Sequence, residues 1–185
     1  AIVLLFAAGH DMVLHFHAQS NRDPLTDLLN RRGLKGLFAA RTDEKQGAIF
    51  VRTIILFDID HFKQFNDRYG HDAGDRILER LSTVLAQTLR EQDFIGRWGG
   101  EEFLVVLTDT GNEQALLTAE RIRCTAETHS WVFGELELSV TVSVGVAQYC
   151  AGEDLSAVVA RADTALYEAK RLGRNRVEVD PLEAH

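Results

Sequence analysis

Thiols, prolines and methionines are scarce in this chain, with two Cys, two Pro and one Met among 185 residues. Cys124 and Cys150 form no recognisable metal or redox spacing, and they read as buried free thiols in a reducing compartment. The seven histidines make no ligand set either, since His15 and His17 lie two apart on a helix and diverge. No apolar run is long enough to span a bilayer. Residues 1–8 are apolar but short, lack a basic flank and run into Gly9-His10-Asp11, unlike a secretory signal. Positive charge is also in short supply. Twenty Lys and Arg against 28 Asp and Glu leave a net charge of −8, which argues against broad electrostatic binding of nucleic acid. A small anionic ligand is still allowed, because a few local cations and a metal override the net charge.

The remaining composition, 45% hydrophobic and 26% charged, is that of one ordinary globular domain with a short appendage. No repeat or low-complexity stretch is present. The chain starts without Met, and the expectation is a cytoplasmic piece of a longer protein, with a membrane-anchored parent as the alternative.

Ile2, Leu5, Gly9, Met12 and Phe16 are spaced as a weak heptad stripe. It suits a helix pairing with a partner, an amphipathic helix lying on its own domain, or the end of a membrane helix. Pro24 stops that helix, and Asp23 and Thr26 suit turn and capping roles. Helices are then expected over 30–41, 73–90, 112–127 and 154–171. Strands are expected over 49–57, 94–98, 103–107, 136–148 and 177–179, with Gly99-Gly100-Glu101-Glu102 as a hairpin turn. The fold class is α+β, an α/β sandwich: a central five-stranded mixed, largely antiparallel sheet flanked by helices, preceded by a signalling helix. Segmentation follows as a linker helix over 1–22, the main domain over 23–180 and a tail over 181–185.

Two acidic clusters stand where carboxylates are expensive. Ile54-Ile55-Leu56-Phe57 runs into Asp58-Ile59-Asp60, and a carboxylate at the end of a buried strand needs compensation. Period-two alternation places Asp58 and Asp60 on one side, able to hold a divalent cation between them; capping of the next turn is an equal alternative. The second cluster is the hairpin, where paired glycines bare the backbone and Glu101 and Glu102 flank it. Together the clusters suit a two-metal phosphoryl-transfer site. Lys63, Lys170 and Arg174 are available for phosphates, each equally readable as a surface residue. Residues 66–75 are dense in Asn, Asp and Gly, side chains that read a guanine edge or merely cap a helix.

Arg97-Trp98-Gly99-Gly100-Glu101-Glu102-Phe103 resembles the signature that names the GGDEF family, in its GGEEF form. Phe57 to Lys63, Asn66-Asp67 and Gly70 to Asp75 resemble its other blocks in order and spacing. Asp23-Pro24-Leu25-Thr26 with Asn30-Arg31-Arg32 resembles its opening motif, and Arg161 to Asn175 its closing helix. The resemblance covers about residues 23–179. It implies a diguanylate cyclase that condenses two GTP into cyclic di-GMP with release of two pyrophosphates. Asp58, the Ile59 carbonyl, Glu101 and Glu102 would hold two Mg²⁺, or Mn²⁺, and Glu101 and Asp58 would be catalytic. Asn66 and Asp75 would select guanine. Lys63, Phe62, Gly99, Gly100, Lys170 and Arg174 would complete the substrate site. A homodimer would be needed for turnover, under control of an upstream sensor that is membrane-bound in one version of this reading, and without nucleic acid. Arg90-x-x-Asp93, with Arg121, matches the family's site for inhibition by the product. Asp27 and Trp98 depart from a common glycine and tyrosine, and neither change removes a ligand. The rivals are a binding module that senses GTP or cyclic di-GMP, disfavoured because Asp58, Glu101, Gly99 and Gly100 are all present, and a cyclase acting within one nucleotide, disfavoured by the guanine-reading pair and the Arg90-x-x-Asp93 offset.

Overall fold

A computed structural model describes residues 21–41, 51–133, 136–150 and 152–180. The elements in chain order are β1 (Leu29–Asn30), α1 (Arg31–Arg41), β2 (Val51–Ile59), α2 (Phe62–Tyr69), α3 (His71–Ala86), β3 (Phe94–Gly99), β4 (Glu102–Thr108), α4 (Asn112–Thr128), β5 (Trp131–Phe133), β6 (Leu136–Leu138), β7 (Val142–Gln148), α5 (Leu155–Arg171) and β8 (Val177–Val179). The expected helix over 2–16 and the tail lie outside the described residues.

The main sheet has the order β1-β3-β4-β2-β7-β8. Its middle, β3-β4-β2-β7, is antiparallel throughout, and parallel pairs close both ends. It therefore holds six strands where five are expected. The sixth is β1, two residues too short to show any alternation. The expected strand over 136–148 is divided: β6 pairs with β5 in a separate hairpin, and β7 alone enters the main sheet. The expected helix over 73–90 begins at His71 and ends at Ala86, and a further helix, α2, precedes it. Gly70, at φ 85°, separates the two helices.

β2 lies between β4 and β7 with helices packed on both faces of the sheet, and its sequence is almost continuously apolar. One face carries Ile55, Phe57 and Ile59, packed with Phe103 and Val105 beneath Leu78 and Leu81 of α3 and Ile122 of α4. The other carries Ile54 and Leu56, with Leu104 and Val106, beneath Leu34 of α1 and Val158 and Leu166 of α5. Cys124 is half-buried and Cys150 exposed, both free, so the expectation of buried thiols fails for Cys150, which sits in the connection after β7. Among the described residues no helix is long and apolar enough to cross a membrane.

α5 reaches the sheet over Gly145, the residue opposite Leu56 on β2. A Cβ there would overlap the Ala162 carbonyl oxygen and the Leu166 backbone nitrogen. Neither is a side-chain tip able to swing away, so the helix itself must move. Gly145→Ala is expected to destabilise the domain by roughly 2–4 kcal/mol, read as a lower urea midpoint at unchanged slope. A loss under about 0.5 kcal/mol would show that α5 accommodates the methyl group.

Candidate active site

The sheet register creates the centre of the site. Asp58 is the last polar position of β2 and stands opposite Glu102 of β4 and Ser143 of β7. Residues directly opposite in antiparallel strands share a face, so Asp58 and Glu102 end the face covered by α1 and α5. Asp58 is 8% exposed, and its Oδ2 lies 3.1 Å from Lys170 Nζ on the last turn of α5. Burial pushes its carboxyl up to about 6; Lys170 opposes this shift, and the charges of Glu101 and Glu102 add to it. Among the described residues, neither glutamate takes part in an ion pair.

Asp60 behaves differently from Asp58. It lies beyond the end of β2, and its carboxylate accepts from Thr141 Oγ1 at 2.7 Å, Ser143 Oγ at 2.6 Å and the Asn175 backbone N–H at 3.0 Å. These three internal donors favour the structural alternative for Asp60 over a cation shared with Asp58.

The hairpin between β3 and β4 is fastened from outside. Gly100 takes φ 24° in the turn, and its carbonyl accepts from Arg97 Nε at 2.8 Å. Arg97 Nη1 then reaches Asp23 Oδ1 at 3.1 Å, while that same oxygen accepts from the Thr26 amide and hydroxyl. Burial alone would raise the Asp23 carboxyl, but the bonds from Thr26 and Arg97 outweigh it and leave it below its ordinary value. Sequence reading assigns Asp23 and Thr26 to a local turn; the grip of Asp23 on Arg97, 74 positions away, has no local signal. Beside Glu102, Arg31 lies 4.5 Å over the Trp98 ring, and both residues line an open cavity of about 240 Å³ with Leu56, Val159 and Asp163.

The corner between α2 and α3 gathers the expected base-reading residues. Asn66 is half-buried, and its Oδ1 is fully covered without a hydrogen-bond partner, an orphaned acceptor of the kind that costs about 1–3 kcal/mol unless something satisfies it. It lies against Gly74, where a Cβ would overlap this oxygen and stand 3.0 Å from Asn66 Cγ. Asp75 follows, exposed on α3, and Lys63 is exposed on the first turn of α2. Phe62 is core, 7% exposed, with its ring parallel to that of Phe65; only its backbone is left for a ligand. Arg174 is exposed beyond α5, with Nη1 3.5 Å from the Lys170 carbonyl.

Arg90 and Arg121 are both exposed. Asp93 is engaged, its Oδ1 accepting from the Thr108 amide at 3.2 Å and its Oδ2 from the Arg90 amide at 3.4 Å. This ties the connection after α3 to the end of β4.

Carboxylates are hard oxygen donors, suited to Mg²⁺ rather than to softer metals. Among the described residues no three His, Cys, Asp or Glu side chains are gathered tightly enough to ligate an ion on their own.

The domain is thus α+β, with an antiparallel sheet that ends in carboxylates beside a glycine hairpin and a lysine on the neighbouring helix. Residues 20–176 match the family described as Diguanylate cyclase, GGDEF domain, and the chain belongs to that family. It is 38% identical over 158 residues to diguanylate cyclase DosC of Escherichia coli K12, covering 85% of this chain and 34% of the relative. With diguanylate cyclase A of Treponema denticola it is 44% identical over 126 residues, 68% of this chain and 34% of the relative. It thus spans about a third of the length of these curated relatives. Among solved structures, the coiled coil and GGDEF domain of DgcB from Caulobacter crescentus in complex with c-di-GMP superposes with TM-score 0.86 at 29% identity, covering 96% of this chain and 94% of that one. The active GGEEF domain of a diguanylate cyclase from Vibrio cholerae gives TM-score 0.74 at 39% identity, with 83% and 97% covered.

Because the folded-state pKa of Asp58, about 6, lies above its ordinary value of 3.8, its protonated form favours the fold. That contribution is complete below about pH 4 and is lost as the pH rises through about 6. Asp58→Asn is therefore expected to be more stable than the parent near neutral pH by on the order of 1–3 kcal/mol, with the gap closing at about pH 4. Denaturant titrations at both pH values test this, and a gap that does not change with pH would refute it.

Proposed function

We propose that the domain is a diguanylate cyclase, condensing two GTP into cyclic di-GMP and two pyrophosphates where two copies meet. The observation that carries this reading is the cross-strand pairing of buried Asp58 with Glu102, beside the Gly99-Gly100-Glu101 turn and against Lys170. It unites in space what the family signature unites only in sequence.

In this reading Asp58, the Ile59 carbonyl and Glu101 hold two Mg²⁺, or Mn²⁺, with Glu102 beside them. When bound, the ions neutralise triphosphate charge and lower the pKa of the attacking 3′-hydroxyl. The chain's own groups supply the rest. Lys170 gives up its ion pair with Asp58 to face phosphate oxygens, and Arg174 and Lys63 add charge where pyrophosphate leaves. Gly99 and Gly100 let phosphates approach the bare backbone. Asn66 and Asp75 read guanine. Each 3′-hydroxyl attacks the α-phosphorus of the nucleotide on the other copy, so one domain binds GTP without converting it, and most of the acceleration comes from positioning and charge neutralisation. Cyclic di-GMP also binds Arg90, Asp93 and Arg121 as an inhibitor. The domain works in the cytoplasm under an upstream sensor.

Incubation with GTP and Mg²⁺ should give cyclic di-GMP and pyrophosphate, with a rate rising faster than linearly in protein concentration. GTP binding without product, in a tethered dimer as well, would favour a sensor. Glu101→Gln should lower turnover by at least about a hundredfold at unchanged thermal stability; undiminished product would sink the metal assignment. Arg90→Ala should raise the inhibition constant for cyclic di-GMP about tenfold or more without slowing the initial rate. An unmoved constant would remove Arg90 from the inhibitory site.

A further inference from the structure

Immediately after α5, Gly173, Arg174 and Asn175 follow one another at φ 119°, 65° and 45°. A single left-handed glycine is the usual way to end a helix. Two non-glycine residues in the same region directly after it are strained, and such a run persists only where its surroundings hold it.

The holding groups come from both sides. From the sheet, Asp60 Oδ2 accepts the Asn175 backbone N–H at 3.0 Å and the Thr141 hydroxyl at 2.7 Å, and Oδ1 accepts the Ser143 hydroxyl at 2.6 Å. The Asp60 amide in turn donates to the Thr141 carbonyl at 2.9 Å. From α4, Glu127 Oε1 accepts from Asn175 Nδ2 at 2.7 Å, and Arg123 Nη1 donates to Asn175 Oδ1 at 2.8 Å. Arg123 is itself braced by Glu120 and Glu127, each at 2.7 Å. Backbone bonds lock the flanks, from Arg174 N–H to the Ala169 carbonyl at 3.0 Å and from Val144 N–H to the Arg176 carbonyl at 2.9 Å. Every polar group of the Asn175 side chain is thus used, and so are both Asp60 oxygens.

None of this is needed to keep α5 on the sheet. Leu155, Val158, Val159, Ala162, Leu166 and Ala169 already bury that helix. What the bonds determine is the path of the exposed turn, and the side chain carried on that turn is Arg174, with Lys170 one helical turn before it. We propose that Asp60 and Asn175 are positioning residues, a clasp that sets Arg174 and the end of α5 over the triphosphate. The end of β2 therefore serves the site twice, through Asp58 facing the ligand and Asp60, just past the strand, holding the cations that meet it. The inference rests on Lys170 and Arg174 being the phosphate ligands, and the test separates the two.

The experiment is equilibrium binding, with Mg²⁺ present, of α,β-methylene-GTP, which carries the full phosphate chain and cannot react, and of GMP, which lacks the β- and γ-phosphates. Asp60→Ala and Asn175→Gly, the latter keeping the left-handed backbone accessible, are expected to weaken the triphosphate analogue about tenfold and to leave GMP within about twofold. Asp60→Asn retains one acceptor and should fall between parent and Asp60→Ala. Thermal midpoints should stay close to the parent's. Should Asp60→Ala fail to fold, Asn175→Gly alone decides. Equal loss for both nucleotides, or no loss for either, overturns the clasp. Arg174→Ala is the reference: if it too leaves the analogue's affinity unchanged, the phosphate assignment fails first, whereas a loss there with none in Asn175→Gly rejects the clasp alone.

Discussion

A carboxylate at the end of a strand buried on both faces has few ways to exist. Water reaches Asp58 poorly, its cross-strand neighbour is another acid, and the cation it meets comes from a separate helix. The free domain settles this by raising the carboxyl pKa and borrowing Lys170, an arrangement that bound cations would change at once. Much else follows from keeping that carboxylate in place. β4 and β7 must flank β2 in one register, α5 must come close enough for Lys170 to reach, and Gly145 must lack a side chain for α5 to do so. A buried carboxyl with a raised pKa fits the proposed role of Asp58 in chemistry rather than in folding.

The fold divides the work between the two faces of the sheet. α2 and α3, on the face of Phe57 and Phe103, carry Asn66 and Asp75. α5, on the opposite face, carries Lys170 and ends beside Arg174. The acids sit at the strand ends between them. In the proposed reading, a nucleotide that reaches both helix sets would lie across the end of the sheet, its base toward one layer and its phosphates toward the other.

Sequence reading recovered what is local and lost what is not. Alternation and apolar runs located β2, β3, β4 and α5, and the paired glycines marked the hairpin, because strand period and turn chemistry act over a few residues. Asp58 and Asp60 are equivalent by period two. They differ because the strand ends at Ile59 and because Asp60 finds donors 81, 83 and 115 positions away. α2 was hidden because Asn66, Asp67 and Gly70 suggest a loop, whereas packing of Phe62 and Phe65 makes the segment a helix. β1 carries no pattern, and its pairing with β3 depends on Leu29 meeting Gly96. The site's residue types were legible, but the division of labour among them was not.

The sheet's two outermost strands, β1 and β8, span two and three residues. Open strand edges are the usual route by which β proteins stick to one another irreversibly, and very short edges are a common defence. A second copy drawn close at high local concentration finds almost no backbone ladder to extend. In the proposed reading, where two copies must meet for turnover, such short edges guard against edge-to-edge aggregation.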